Sequence, residues 1–233
     1  KLAVCLVVIT AIAYATEDVV NIAEDMSGPV ADVLLESGEG FVDATFNDKS
    51  KYVSLRSEHN EDDANKPEYH MRHLGDNVVL TTLSGGADKR NGAWFLSAPL
   101  CPPGKGRCPA APAGSKGCFS FEAADKVGSF VGKSPTSDDI ELRAYPFADV
   151  ESATFCAVAG TSNKDLTSYE LLGKPGFFLT HLAYKLKACN NQPGSGCGVQ
   201  AGFAKMSTFK QLGAQFFGRC ATAKTCKCIA NFQ

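Results

Sequence analysis

The chain lacks the short motifs that mark the common classes of enzyme. No Gly-x-Ser-x-Gly nucleophile elbow, His-Glu-x-x-His zinc pair or phosphate-binding loop occurs among its 233 residues. Asp and Glu are numerous, so a carboxylate pair for glycoside hydrolysis stays open on the sequence alone. The motifs therefore favour a protein that binds or assembles over one that catalyses, and we predict that it is not an enzyme.

An excess of charge of one sign is also missing. The 23 Lys and Arg residues nearly balance the 25 Asp and Glu residues, and both signs are dispersed along the chain. Nucleic-acid binding needs a basic stripe that neutralises phosphates, so nucleic acid is not an expected partner. The acidic run at 61–63 lacks the spacing and the glycine of a calcium loop, so no metal is predicted. No cofactor is expected either.

Long apolar runs with helical periodicity are missing after the N-terminal segment. Short apolar segments bounded by Gly, Pro, Asn and Asp take their place, which is typical of strands and turns. Phe119 and Phe121 alternate with Ser120, and Tyr184 and Leu186 flank Lys185, so each pair is expected to face one side of its strand. The strands are too closely spaced for helical crossovers, so the sheet should be antiparallel.

Three stretches of the chain repeat one pattern of extended segment, turn, aromatic segment and closing strand. The repeats cover about 52–100, 118–160 and 168–209, and the expected closing segments are 94–95, 153–156 and 201–203. Three four-strand units can close on each other and so remove exposed sheet edges. We therefore predict an all-β fold, a β-trefoil with pseudo-threefold symmetry, whose core includes Phe121, Leu142, Leu171 and Leu186.

The N-terminal residues have the pattern of a secretory signal peptide. Residues 1–15 begin with Lys1, continue with an apolar stretch and end with small residues at Ala13 and Ala15, which predicts cleavage after Ala15. A membrane anchor is the weaker alternative, because the apolar run is too short for a ~30 Å hydrocarbon core. No membrane span is predicted. Residues 16–40 would form an N-terminal segment and residues 41–233 the trefoil domain with a cysteine-rich tail.

Ten cysteines also favour an extracellular location, where disulfides stabilise the fold. Removal of Cys5 with the signal peptide leaves nine, so one thiol should stay free or pair with another chain. Two pairs of neighbouring cysteines bracket Pro/Gly-rich loops and can close locally, at 101/108 and 189/197, but the sequence does not determine the pairing. A zinc site in the tail lacks a second ligand cluster. The disulfide candidates are Cys101, Cys108, Cys118, Cys156, Cys189, Cys197, Cys220, Cys226 and Cys228.

The repeats resemble the arabinose-binding module at the C-terminus of fungal α-L-arabinofuranosidase B. The motifs that carry the resemblance are VSLRS at 53–57, YHMRH at 69–73, PGFFLTH at 175–181, DATF at 43–46 and SATFC at 152–156. The resemblance spans about 41–209. It implies a β-trefoil whose pockets hold arabinofuranose between a His of the aromatic-Leu-Arg-His strand and an Asp of the Asp-Ala-Thr-Phe strand. The hydrolytic site of that family lies in a separate domain.

The resemblance implies carbohydrate contacts at His73 and His181. Tyr69 and Phe178 are the aromatic candidates beside them, with packing in the core as the alternative because each falls on an inward-facing strand. Core packing of one histidine is likewise the alternative to ligand contact. Asp43 is the carboxylate candidate.

The chain departs from the family pattern at several of these positions. Lys133 stands at the histidine position of the second unit, so no pocket is expected there. At the acid position of the three units the sequence alignment places Gly92, Ser152 and Gln200, so that Asp43 alone keeps the acid. A furanose hydroxyl pair is best held by a carboxylate.

Two functional hypotheses follow. The first is a secreted, lectin-like carbohydrate-binding protein that acts at a cell surface or in an extracellular matrix, with a glycan or glycoprotein as partner. The second is a structural or assembly protein whose trefoil has lost sugar binding and contacts other extracellular proteins, or itself through the unpaired cysteine. The histidines favour the first hypothesis, and the missing carboxylates with the odd cysteine favour the second.

Overall fold

A computed structural model describes residues 51–60, 67–101, 109–193 and 196–214, and these contain twelve strands in three four-strand units. The first unit consists of β1 (Tyr52–Ser57), β2 (His70–Leu74), β3 (Asn77–Thr81) and β4 (Trp94–Ser97). The second consists of β5 (Cys118–Ala123), β6 (Ser129–Lys133), β7 (Ile140–Ala144) and β8 (Phe155–Ala159). The third consists of β9 (Thr167–Leu171), β10 (Phe178–Leu182), β11 (Lys185–Cys189) and β12 (Phe209–Gly213).

Helices are short and precede the closing strands. They are α1 (Gly86–Asn91) and α2 (Phe203–Met206), with the 3₁₀ turns η1 (Glu58–Asn60) and η2 (Val150–Ala153). The predicted signal peptide, the N-terminal segment with Asp43, Cys108 and the tail cysteines Cys220, Cys226 and Cys228 lie outside the described residues.

Six strands close into a barrel. The antiparallel pairs run β1–β4, β4–β5, β5–β8, β8–β9, β9–β12 and β12–β1, so the ring has no open edge. The other six form the hairpins β2–β3, β6–β7 and β10–β11, and β3 pairs with both β7 and β11. Three hairpins over a six-stranded barrel make a β-trefoil. The prediction of an all-β trefoil is confirmed.

Equivalent residues of the three units fill the core around the pseudo-threefold axis. Phe121, Leu142, Leu171 and Leu186 are all buried, as predicted. The period of two along each strand sends these side chains inward. Burial of each large apolar side chain contributes about 1.5–3 kcal/mol to folding. The closing strands β4, β8 and β12 each begin with an aromatic residue that is fully buried, and these residues are Trp94, Phe155 and Phe209.

The third unit closes later along the chain than the sequence pattern indicated. Its closing strand begins at Phe209, whereas the segment expected to close the unit, 201–203, runs into the helix α2. Phe203 packs instead against Phe178, with ring centroids 6.4 Å apart, in a small cluster beside the barrel. The loop before β12 is long, and a second aromatic residue in it matched the repeat pattern by chance.

Buried carboxylates hold two of the tight turns. Glu122 of β5 accepts a hydrogen bond from the backbone N–H of Gly128 at 2.8 Å, and Glu170 of β9 accepts one from Gly176 at 2.5 Å. Both glycines have positive φ, close to 80°. Such charge-assisted bonds satisfy the carboxylate inside the protein and fix the turn that leads into the next strand.

Disulfides join the described strands, as predicted. Cys118 of β5 is bonded to Cys156, its direct partner on the neighbouring strand β8, and Cys189 is bonded to Cys197 across a loop of the third unit. Cys101 is also disulfide-bonded. The 189–197 pair is one that the sequence suggested as a local closure, whereas the 118–156 pair links segments that only the fold brings together.

Candidate functional site

The strand register brings His73, Lys133 and His181 to equivalent positions of the three units. His73 and His181 each lie one residue before the end of the first strand of their hairpin, and Lys133 is the last residue of its strand. Each is paired with a buried aliphatic residue of the facing strand: His73 with Val78, Lys133 with Ile140 and His181 with Leu186. The pseudo-threefold symmetry therefore creates three related positions, one in each hairpin.

Two further residues belong to each position. One comes from the short helix before the closing strand, three residues before its first aromatic: Asn91, Ser152 and Met206. The other comes from the neighbouring unit, whose first strand pairs with that closing strand. It lies just after this first strand, and the three residues are Asp125, Gly173 and His59, respectively. Each position is thus assembled from two adjacent units.

This assignment corrects the sequence alignment at the acid position. The alignment had placed Gly92 and Gln200 beside Ser152, but the strand pairings place Asn91 and Met206 there. The first shift is one residue. The second is six residues, because the third unit closes at Phe209 and not at Phe203. None of the three described acid positions holds a carboxylate.

The first position is filled by a hydrogen-bonded pair of side chains, His73 and Asp125. Nε2 of His73 lies 2.8 Å from Oδ1 of Asp125, and its Nδ1 lies 3.3 Å from the carbonyl oxygen of Gly75. With its amide nitrogen turned toward the carboxylate, Asn91 donates to Oδ2 of Asp125 at 2.9 Å. Only 3% of His73 is exposed, and its ring packs edge-on against Trp94. Both imidazole nitrogens already have partners inside the protein.

The third position holds a buried neutral imidazole. His181 is 5% exposed, and its Nε2 lies 3.2 Å from Oγ of Ser57. The ring of the exposed His59 meets it edge-on at 5.2 Å between centroids. Burial, together with the nearby charge of His59, lowers the pKa of His181 to about 4. A neutral imidazole can both donate and accept a hydrogen bond.

The second position opens into a cavity of about 210 Å³. Lys133, Ser152, Leu172 and Gly173 line it together with Glu151 and Lys174. Gly173 occupies the place that Asp125 and His59 fill at the other two positions. A Cβ at Gly173 would meet nothing closer than 3.9 Å, so the missing side chain leaves free space. The absence of that side chain opens the cavity.

The polar wall of the cavity is fixed by surrounding contacts. Nζ of Lys133 donates to the carbonyl oxygens of Ser134 and Ser137, at 3.1 and 2.5 Å. Ser152 accepts a hydrogen bond from Arg143 at 2.7 Å, and Arg143 also holds Asp149 through two hydrogen bonds. These bonds from Arg143 lower the pKa of Asp149, which stays ionised near neutral pH. The wall is therefore preorganised.

The two aromatic candidates pack against other aromatic residues. Tyr69 is half-buried, with its ring centroid 4.8 Å from that of Tyr184. Phe178 is half-buried against Phe203 and the 189–197 disulfide. Tyr184 itself was expected to share the inward face with Leu186, but it is 48% exposed. It belongs to the turn before β11, where the alternation of a strand does not apply.

Among the described residues, no cluster of His, Cys, Asp and Glu has the geometry of a metal site. Within the same residues, no helix is both long and apolar enough to cross a bilayer.

Comparison with known families and structures shows what the chain is similar to. The model of the alpha-L-arabinofuranosidase B (ABFB) domain family matches residues 111–211. A GH54 α-L-arabinofuranosidase soaked with a cyclic sulfate inhibitor superposes with a TM-score of 0.53 at 22% identity, over 70% of this chain and 31% of that one. An arabinofuranosidase in complex with arabinofuranosyl-α-1,2-xylobiose gives a TM-score of 0.54 at 22% identity, over the same shares of the two chains.

These structures share the fold, and this chain spans less than a third of their length. No curated protein matches the chain. The family match covers the whole second unit and most of the third, including Lys133, Ser152, Gly173 and His181. Residues 111–211 are therefore similar to the ABFB domain of these enzymes.

Proposed function

We propose that this protein is a secreted, lectin-like carbohydrate-binding β-trefoil that acts at a cell surface or in an extracellular matrix. The similarity to the ABFB domain supports carbohydrate as the ligand class, with arabinofuranose-bearing glycans as the first candidates. The disulfides support an oxidising compartment. Its partner would be a glycan or glycoprotein.

The open cavity at the second position is the observation that carries this proposal. Sites for drug-sized ligands usually enclose roughly 300–1,000 Å³, so a cavity of about 210 Å³ suits a single sugar residue. Pro135 supplies exposed apolar surface, while Ser152, Glu151 and Lys174 supply groups that can bond to sugar hydroxyls.

The sequence favours a different proposal, in which sugar binds at the first and third positions. Its contacts would be His73, His181, Tyr69, Phe178 and Asp43. A sugar at the first position would have to displace the bond between His73 and Asp125. At the third position it would have to reach a histidine that is 5% exposed. We therefore propose the second position as the main sugar-binding site, even though Lys133 replaces its histidine.

We propose binding without hydrolysis. The chain spans 31% of the length of the arabinofuranosidases it resembles, and the matched family model covers only the ABFB domain. The family's acid is replaced at the described acid positions, so the ligand would be held by Glu151 together with hydroxyl and amine groups of the cavity.

A glycan array that includes arabinofuranosides tests the function, and three sets of variants locate the site. Gly173→Asn fills the cavity, and Asn tolerates the positive φ of this residue. We expect it to weaken binding at least about tenfold, which corresponds to 1.4 kcal/mol. Gly128→Asn is the matched control, since Gly128 has the same backbone conformation and open space around it. Loss of binding in His73→Ala or His181→Ala, with Gly173→Asn unaffected, would move the site to the histidine positions.

The second candidate is a structural or assembly protein that contacts other extracellular proteins or a second copy of itself. The observation in its favour is that Asn91, Ser152 and Met206 replace the carboxylate at the described acid positions. An array without any bound glycan, together with a disulfide-linked dimer on non-reducing electrophoresis, would support this function over sugar binding.

A further inference from the structure

The backbone of the turn between β10 and β11 has an energetically unfavourable conformation. Ala183 and Tyr184 both have positive φ, +48° and +67°. Two-residue hairpin turns of this kind normally use Asn and Gly, because a Cβ makes the left-handed conformation unfavourable. The equivalent turn between β2 and β3 places Gly75 in that conformation. Strained residues of this kind cluster at sites where the side chain they present has a function.

The strained turn presents the ring of Tyr184 at the surface. The side chain is 48% exposed and is stacked beside Tyr69, at 4.8 Å between centroids and 36° between planes. A hydrogen bond that the Tyr69 hydroxyl donates to the Tyr184 hydroxyl raises the pKa of Tyr69, so the Tyr69 phenol is neutral near neutral pH. The backbone N–H of Leu80 donates to the carbonyl oxygen of Tyr184 at 2.7 Å, which ties the turn to the first unit.

The tyrosine ring lines a groove between the hairpins of the first and third units. The groove has a volume of about 430 Å³. Leu74, Val79 and Leu80 provide its apolar surface, and Asn77 and Thr81 provide an amide and a hydroxyl. Lys185 also lines the groove, with its ammonium group paired to Asp139 at 2.6 Å. An exposed aromatic face beside apolar surface, with a few polar groups, suits a pyranose ring. The C–H face of the sugar contacts the negative face of the aromatic ring while its hydroxyls bond to the polar groups.

The size of the patch disfavours a protein as the occupant. Five large apolar side chains are exposed among the described residues, and only Leu74 and Tyr184 of these line the groove. A stable protein partner usually covers about 800 Å² of each surface, with several apolar anchors. Two exposed side chains are too few for that, but they are enough for one or two sugar rings.

We propose that Tyr184, supported by Tyr69, is a stacking platform for a pyranose ring with equatorial hydroxyls. This site is separate from the cavity beside Lys133. The inference extends the proposed carbohydrate-binding function from one site to two, since a glycan with pyranose and arabinofuranose residues could use both. A turn of Asn and Gly would relieve the strain but would also remove the ring.

Calorimetric titration with xylotetraose and cellotetraose tests the platform. Tyr184→Asn removes the ring and suits the left-handed backbone, so its melting temperature should equal or exceed that of the wild type. We expect this variant to lose at least tenfold in affinity for the pyranose oligosaccharide that binds, while Tyr184→Phe keeps most of the affinity. Val199→Asn, at a residue that is 61% exposed and does not line the groove, is the matched surface control.

Gly173→Asn separates this site from the cavity, because it should leave binding of the pyranose oligosaccharide unchanged. If arabinofuranosides fail to bind but xylotetraose or cellotetraose binds through Tyr184, the platform stands and the cavity proposal fails. The platform is overturned if neither oligosaccharide binds the wild type, or if Tyr184→Asn binds as the wild type does. A wild-type dimer in sedimentation that Tyr184→Asn converts to monomer would also overturn it, since the groove would then be a protein interface.

Discussion

Asp125 accepts a hydrogen bond from Nε2 of His73 at 2.8 Å, and this pair fills the first of three symmetry-related positions. At the second position the turn residue is Gly173, and a cavity lies where the carboxylate would be. The residue that the neighbouring unit's turn contributes thus decides whether the position is filled by a side chain, as with Asp125, or left as a cavity, as with Gly173. The three positions therefore differ in shape, although the strand register makes them equivalent.

The buried pair of His73 and Asp125 should be important for stability. Asp125→Ala leaves a buried imidazole and the amide of Asn91 without their partner, which should cost about 1–3 kcal/mol. Urea denaturation measures the loss. Asp76→Ala removes a carboxylate whose side chain is 88% exposed, and it should change stability by less than about 0.5 kcal/mol. Equal effects of the two changes would contradict a special role for Asp125.

Protonation of His181 should destabilise the protein in mild acid. Its pKa is lowered to about 4 in the folded state from an ordinary value of 6.5, so the unfolded chain binds more protons between these values. Stability due to this group is therefore complete above about pH 6.5 and is lost as the pH falls, by about 2–3 kcal/mol at pH 4.5. His181→Gln should lose less stability than the wild type between pH 7 and pH 4.5. Parallel losses in both proteins would show that carboxylates alone cause the acid sensitivity.

Removal of a turn carboxylate should weaken the barrel. Glu170→Ala leaves the N–H of Gly176 without its charged acceptor, and the expected cost is about 1.5–3 kcal/mol. Glu122→Ala should cost a similar amount, because it holds the N–H of Gly128 in the same way. Glu151→Ala, a carboxylate on the surface of the second unit, serves as the comparison in thermal unfolding. If all three variants melted together with the wild type, the turns would not depend on these bonds.

The two described disulfides should differ in their contribution to stability. Cys118–Cys156 closes a segment of 38 residues, and Cys189–Cys197 closes one of 8. The loss of chain entropy in the unfolded state predicts about 4 kcal/mol for the first and about 2.5 kcal/mol for the second. Double Ser variants of each pair, compared by guanidinium denaturation, measure the two values. A larger loss for the 189–197 pair would contradict the entropic explanation.

The all-β fold could be predicted because its signals are local. Alternation along β5 and the turn glycines depend only on neighbouring residues, and three copies of one pattern reinforce each other. The alignment of His73, Lys133 and His181 also came from repeated strand sequences. Prediction failed at the third closing strand because the long loop before Phe209 contains a second aromatic residue, Phe203.

The sequence by itself determined the strands, the threefold repetition and most of the core, since each is encoded in the alternation of apolar and polar residues along short segments. Only the tertiary structure decided which position is open, because each one joins a hairpin of one unit to a turn that lies 40 to more than 100 residues away, as Lys133 and Gly173 do. It also decided that Tyr184 faces outward, because the turn conformation at that residue interrupts the alternation of the strand. Side-chain packing between units sets these outcomes, and no local pattern contains that information.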